Sequence, residues 1–301
     1  MQLLVQPDDS LAPILKAVQK ARKSIDVHIF RLDRGEIEKA LKQAVERGVV
    51  VRTLIAHTNR GGEKALRRLE ERLLGLGATV SRTADDLVRY HGKVMIVDHR
   101  TLYVLGYNFT RLDIDRSRSL GIATRKRDLV QDAFKLFEAD FDRKPYAGDP
   151  TALVVSPVNS RARLRAFLNG ARRQLLIYGA QVTDNGMIRV LKERVRKGID
   201  VRIIGRVGKG HNDLTAQKYP GKRLHVRAIV RDGRAAFVGS QSLRKIELDG
   251  RREIGVIVRE PKVVKRIVEI FEADWVQTDA GKKDRKKRAK AEKEEKDGRK
   301  P

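Results

Sequence analysis

YHGKVMIVD, residues 90–98, sets a histidine, a lysine and an aspartate around an apolar run, spaced His91-x-Lys93-x-x-x-x-Asp98. One such stretch is a core strand with a polar pair at its mouth. The spacing returns in HVRAIVRD, residues 225–232, as His225-x-Arg227-x-x-x-x-Asp232. In each copy a further polar stretch begins seven residues after the aspartate: LGYNFT at 105–110 and GSQSLR at 239–244. Two copies of a rare polar pattern point to a shared task rather than to two surface pairs.

The copies belong to a longer repeat. LLVQPDDSLAPILKAVQKARKSIDVHIF, from Leu3, parallels LVVSPVNSRARLRAFLNGARRQLLIYGA, from Leu153, 150 positions on. Each reads as strand, proline turn, amphipathic helix and strand. The stretches from Ile37 and Met187 both predict a helix stopped by glycine, Gly48 and Gly198, and then a β-branched strand. DLVQDAFKLFEADFD from Asp128 parallels KVVKRIVEIFEADWV from Lys262, an offset of 134. The shorter offset predicts an insertion in the first half, at the helical stretch of residues 63–77. The expected organisation is a first half at 1–149, a second at 150–279, and a charged tail at 280–301 that is either disordered or a lone solvated helix. Alternating strands and helices predict a layered α/β fold with largely parallel pairing.

Composition bounds the partners. Lys and Arg number 66 against 39 Asp and Glu, a formal net charge of +27. The segment from Gly281 onward supplies only +6 of this, so the body itself is basic. Such a charge predicts attraction to polyanions: nucleic acid, anionic membrane surfaces or phosphorylated substrates. Aromatic residues, at 5%, are few for stacking on single strands. With no cysteine, disulfides and thiolate metal sites are excluded. No secretory pattern opens the sequence, and no apolar run reaches the roughly 20 residues of a membrane span. The expectation is a cytoplasmic protein, peripheral at a membrane if its substrate is lipid.

The duplicated pattern resembles that of the phospholipase D superfamily, whose signature is H-x-K-x(4)-D followed by G-S-x-N. The resemblance spans residues 3–277. It implies two pseudo-symmetric α/β/α sandwich halves with the site at their interface, and a complete site in one chain. Members of the superfamily act on phosphodiesters: phospholipases, cardiolipin synthases, phosphatidylserine synthases and several nucleases. They need neither metal nor other cofactor.

The residue types suit that chemistry. Displacement at phosphorus needs a nucleophile, a proton for the leaving oxygen, and cations for the other oxygens. Two histidines supply the first two, one as a phosphohistidine and the other as acid and then base. Lys93 and Arg227 would hold the non-bridging oxygens. The expected catalytic set is His91, Lys93, Asp98, His225, Arg227 and Asp232. Turn residues fixing strand ends are an equal reading for the two aspartates. Asn108, Ser240, Ser242 and Glu253 are the expected phosphate-contacting or supporting residues.

Departures from the signature stand at Leu105-Gly106, where the family has Gly-Ser, and at Arg227 and Ser242, where it has Lys and Asn. Glu253 fits the place of a carboxylate backing His225. The matching residue for His91 is Ser119, which leaves His91 without one unless Asp113 or Asp115 moves in. Family habit makes His91 the nucleophile and the Glu253 argument makes it His225; His91 is the assignment taken here.

Of the other histidines, His28 reads as core, and His57, His99 and His211 show no metal-ligand spacing. Loops 57–62 and 206–213 are basic and glycine-rich without P-loop spacing, and Trp275 reads as core. The tail could bind anionic lipid or nucleic acid. The leading reading is a phospholipid-directed phosphodiesterase or phosphatidyltransferase. The alternatives are a metal-independent nuclease and a non-catalytic phosphate-binding module.

Overall fold

The computed structural model describes residues 1–58, 61–146, 148–208 and 214–286. The first half runs β1 (Gln2–Gln6), α1 (Ala12–Lys20), β2 (Ser24–Ile29), α2 (Gly35–Glu46), β3 (Val50–Ile55), α3 (Gly62–Gly75) and β4 (Thr79–Arg82). It continues with β5 (Arg89–Tyr90), β6 (Val94–Val97), β7 (Thr101–Leu105), α4 (Arg111–Asp115), β8 (Ser117–Thr124) and α5 (Arg127–Phe141). The second half repeats the plan with β9 (Leu153–Ser156), α6 (Ser160–Asn169), β10 (Gln174–Val182), α7 (Asn185–Arg196), β11 (Asp200–Val207) and β12 (Ala216–Gln217). Then come β13 (Arg223–Leu224), β14 (Arg227–Arg231), β15 (Ala235–Gly239), α8 (Lys245–Asp249), β16 (Arg251–Val258) and α9 (Pro261–Trp275). The expected insertion is α3. Among the described residues β11 passes to β12 without a helix.

Each half builds an eight-stranded sheet and lends one strand to the other. The first sheet is ordered β1-β8-β7-β6-β2-β3-β4, with β13 of the second half also on β8. The second is β12-β11-β10-β14-β15-β16-β5, with β9 on β16 and β5 donated by the first half. The two lent strands carry the residues just before His91 and His225, so the exchange itself delivers each histidine to the opposite half.

Among the named strands, parallel pairing is confined to β2-β3-β4, β10-β11-β12 and the two lent strands; the other strand pairs are antiparallel. The expectation of largely parallel sheets fails because each motif strand folds straight back as a hairpin. Asp98 and His99 turn β6 into β7 with φ of 53° and 49°, and Asp232 and Gly233 turn β14 into β15 with 55° and 65°. Successive left-handed residues match the twist of a tight hairpin. The helix stops at Gly48 and Gly198 are as expected, with φ of +84° and +76°.

Helices α1 and α2 cover the outer face of the first sheet, with Ile14, Val18, Ile37 and Leu41 buried. Helices α6 and α7 do the same for the second, through Leu164, Phe167, Ile188 and Leu191. The largest core joins the halves: α5 and α9 bring Leu136, Phe137, Ile267, Phe271 and Trp275 against strands of both sheets. The buried stripe on each of these helices includes an aspartate near its end, Asp140 and Asp274. Arg252 of the second half donates to Asp140 at 3.0 Å and 3.1 Å. Arg118 of the first half lies 3.2 Å from Asp274. Two related ion pairs thus cross the interface, each anchored on a buried aspartate.

Of the two readings of the tail, disordered or helical, the described part follows the second. Residues 279–286 are helical, and Trp275 Nε1 donates to Asp284 at 3.3 Å. The remainder, 287–301, lies outside the described residues, as do His211 and loop residues 209–213. No described helix is long and apolar enough to cross a membrane.

Candidate active site

The lent strands set the register of the site. Tyr90 pairs with Arg252, so His91 stands beside Glu253, and the His91 amide donates to the Arg252 carbonyl at 2.8 Å. Leu224 pairs with Arg118, so His225 stands beside Ser119, and its amide donates to the Arg118 carbonyl at 3.0 Å. The carboxylate assignment made from sequence is therefore reversed. Glu253 follows the second motif in the chain, yet it serves the first motif's histidine. Nothing in the linear spacing reveals this, because the strand exchange crosses the halves.

His91 Nδ1 lies 2.9 Å and 3.0 Å from the two Glu253 oxygens. Glu253 is fully buried, and burial pushes its carboxyl up from its usual range. Burial, then Lys93 and Arg227, hold the His91 imidazole well below its ordinary pKa. A ring that donates Nδ1–H to a carboxylate leaves the Nε2 lone pair free for attack. Phe30 packs edge-on against the ring with centroids 4.6 Å apart.

His225 is supported differently. Ser119 is fully buried, and among the described residues its hydroxyl has no hydrogen-bond partner. The nearest carboxylate is Asp113, with Oδ2 3.5 Å from His225 Nδ1, too long for a hydrogen bond. Asp113 is itself fixed by the Asn108 amide at 2.8 Å, Asn108 Nδ2 at 2.6 Å and Arg223 Nη1 at 2.6 Å. Burial alone would raise its carboxyl; His225, Asn108 and Arg223 outweigh that and hold it at about 2. Asp113 has therefore moved in, but beside His225 and not His91. Asp115 pairs instead with Arg34 at the surface.

The two motif cations repeat one geometry. Lys93 Nζ donates to the His91 carbonyl at 2.6 Å and lies 3.1 Å from its ring nitrogens. Arg227 Nη1 donates to the His225 carbonyl at 3.1 Å. Burial brings Lys93 down to about 7. His28 lies in the strand beside Lys93, buried, and burial and Lys93 lower it to about 3. It is buried in the core, but among the described residues its Nε2 has no hydrogen-bond partner.

Asp98 and Asp232 are not brought to the site. Asp98 accepts the amides of Arg22, Lys23 and Ser24 at 2.7–3.1 Å. Asp232 accepts those of Arg172, Arg173 and Gln174 at 2.8–3.1 Å. Both lie at the far end of the motif strands and tie a hairpin to the start of a neighbouring strand, which fits the turn reading of these aspartates rather than the catalytic one. Ser240 is likewise removed from phosphate contact: its hydroxyl accepts from the Ile254 amide at 3.0 Å and is buried. Its counterpart Gly106 has no room for a side chain, since a Cβ would lie 2.7 Å from the Leu120 carbonyl. Ser242 donates through its amide and hydroxyl to Glu247, at 2.7 Å and 2.5 Å, as Asn108 does to Asp113.

Both histidines, Asn108, Ser242 and Arg227 line one pocket of about 390 Å³ between the halves. Among the described residues six arginines, at 31, 89, 223, 227, 244 and 251, line it with a single carboxylate, Glu247. Most of these were not singled out from sequence. Two pairs carried a signal: Arg89 and Arg223 each stand two residues before a motif histidine, and Asp113, beside the pocket, and Glu247 each stand five after Asn108 and Ser242. Among the described residues no group of three or more His, Cys, Asp or Glu side chains is set to hold a metal ion.

The family model described as cardiolipin synthase, phospholipase D-like domain, matches residues 14–141 and 164–275. The chain belongs to the phospholipase D-like family. Comparison with curated proteins gives no match. Among solved structures, the polyphosphate kinase of Porphyromonas gingivalis superposes with a TM-score of 0.76 at 19% identity. That match covers 90% of this chain but only 46% of the kinase, so the chain spans just under half of that protein. The phosphatidylserine synthase of Haemophilus influenzae Rd KW20 gives a TM-score of 0.66 at 12% identity, covering 89% of this chain and 84% of the other. At these identities the two structures share the fold.

Proposed function

We propose that this phospholipase D-like protein cleaves or transfers a phosphodiester through a covalent phosphohistidine at His91, with His225 as the proton carrier. The observation that supports this is the unequal backing of two histidines on one cationic pocket: Glu253 bonds His91, and no carboxylate among the described residues bonds His225.

His91 Nε2 attacks phosphorus while the bond to the leaving alkoxide breaks. His225, protonated on binding of the anionic substrate, delivers its proton to that oxygen. Asp113, 3.5 Å away, stabilises the imidazolium without accepting its proton. Neutral His225 then takes a proton from water or an acceptor alcohol, whose oxygen displaces His91 from phosphorus. Lys93, Arg227 and the lining arginines offset the charge on the non-bridging oxygens throughout.

The lining favours a highly anionic substrate. A phospholipid would present only its headgroup here, and the family model's description keeps phosphatidyl transfer as the second reading. The test uses bis(p-nitrophenyl) phosphate, phosphatidylglycerol vesicles and single-stranded DNA in excess EDTA, with His91→Ala and His225→Ala alongside. Turnover by the native chain alone supports the proposal, and the substrate turned over selects between the readings. Undiminished turnover in either variant refutes it.

A further inference from the structure

A second pocket adjoins the catalytic one on the side of the second half. It measures about 660 Å³ and shares Ala180, Arg223 and Leu224 with its neighbour. Its origin can be read from the duplication. In the first half the equivalent place is filled by a small apolar cluster of Phe30, Ala56 and Tyr90, with Leu87 packed against it.

The strand registers fix the correspondence. Ile29 pairs with Ile55 as Gly179 pairs with Gly205, so Phe30 and Ala56 answer to Ala180 and Arg206. Tyr90 pairs across the halves as Leu224 does, so Leu87 and Tyr90 answer to Gly221 and Leu224. At every position the second half carries a smaller or a charged residue. The plug has been removed, and Arg206, Lys218 and Lys222 stand around the space with Arg223 at its junction with the catalytic pocket. Among the described residues one carboxylate, Asp279, faces them on the lining. Lys218, Lys222 and Arg206 are exposed, so they hold up no core and remain available to meet an anion.

We propose that this pocket is a second phosphate subsite, filled by the neighbouring phosphate of a linear polyanionic substrate whose scissile phosphate sits between His91 and His225. The proposal rests on the reading of the catalytic pocket as a phosphate site. It adds that the enzyme recognises phosphates in series, with the neighbouring phosphate held among Arg206, Lys218 and Lys222. The apolar plug denies the equivalent place beside His91.

The test is competitive inhibition of bis(p-nitrophenyl) phosphate turnover by orthophosphate, tripolyphosphate and tetrathymidylate, comparing the native chain with Arg206→Ala/Lys222→Ala. Orthophosphate needs only the catalytic pocket, so its inhibition constant is expected to stay the same. For the longer anions it is expected to weaken by about tenfold, the scale set by removing a charged hydrogen bond to phosphate. A change for tetrathymidylate alone would mark a phosphodiester strand, and for tripolyphosphate alone a phosphoanhydride chain; either supports the subsite. Equal weakening for all three, a diffuse field effect, would overturn it, as would no change. If the native chain turns over no diester, the catalytic reading fails. Calorimetric titration of the same anions then decides the subsite separately by the same selectivity.

Discussion

Replacing Glu253 by glutamine removes a charge and leaves the shape. In the native chain both Glu253 oxygens lie within 3.0 Å of His91 Nδ1, and the side chain is fully buried. The amide can still accept from Nδ1–H, or turn and present its NH₂, which forces the other tautomer and blocks Nε2. A hydrogen bond to a charged group contributes about 1.5–3 kcal/mol. Positive charge grows on His91 as phosphorus is attacked, so that contribution is felt in the transition state. The expected loss in kcat is about 10²-fold, rising toward about 10⁴-fold if the tautomer flips. KM should change little, because Glu253 does not line the pocket. Stability should not follow activity. Burial raises the Glu253 pKa, so its protonation favours the fold below the unfolded carboxyl value, and that contribution is lost as pH rises through the folded value. A neutral amide escapes that loss, while Lys93, already lowered to about 7, can shed its proton in response. The assay is steady-state kinetics on bis(p-nitrophenyl) phosphate beside urea unfolding of the same preparations. Retained kcat with the fold intact would refute the assignment of Glu253 to His91.

Asp98→Ala removes the acceptor for three backbone amides at a partly exposed turn and is expected to cost about 1–2 kcal/mol by urea unfolding, with kcat kept. The cost would be smaller and kcat lost if the aspartate took part in the reaction. The rate should fall on the alkaline side as Lys93 loses its proton near 7, and Lys93→Arg should carry that limb upward because guanidinium stays charged; a pH profile of kcat/KM checks this. Arg252→Met leaves Asp140 buried without its partner and is expected to destabilise by about 3–5 kcal/mol. Burial raises Asp140 to about 6 even with Arg252 holding it down, and removing Arg252 raises it further, so the loss should be largest at alkaline pH and shrink as pH falls toward 6. Arg252→Met/Asp140→Leu should recover most of the stability, as thermal unfolding would show.

Much of the fold was legible because the chain says it twice. The repeat marked out two halves, the insertion at α3, and the histidine pair with its cations. Two things were hidden for physical reasons. Strand direction failed because a buried apolar run reads alike in parallel and antiparallel sheets; the deciding signal was the left-handed pair at Asp98-His99, which only the second copy, Asp232-Gly233, shows plainly. The pairing of Glu253 with His91 failed because it depends on β5 and β13 changing halves, and two-residue strands leave no periodicity to find. The aspartates of the motif carried two readings, turn and catalysis, because a repeated residue signals a repeated constraint without naming it, and the hydrogen bonds here fit a turn.

The division of labour, with His91 taking the phosphoryl group and His225 serving the proton, can be caught in the covalent intermediate. After brief reaction of His225→Asn with bis(p-nitrophenyl) phosphate, a base quench preserves phosphohistidine and peptide mass mapping locates the adduct. The expected product is a p-nitrophenyl phosphoryl group on His91, absent when His91 is also replaced. An adduct on any other residue, or turnover by the native chain with no adduct at His91, would break the assignment.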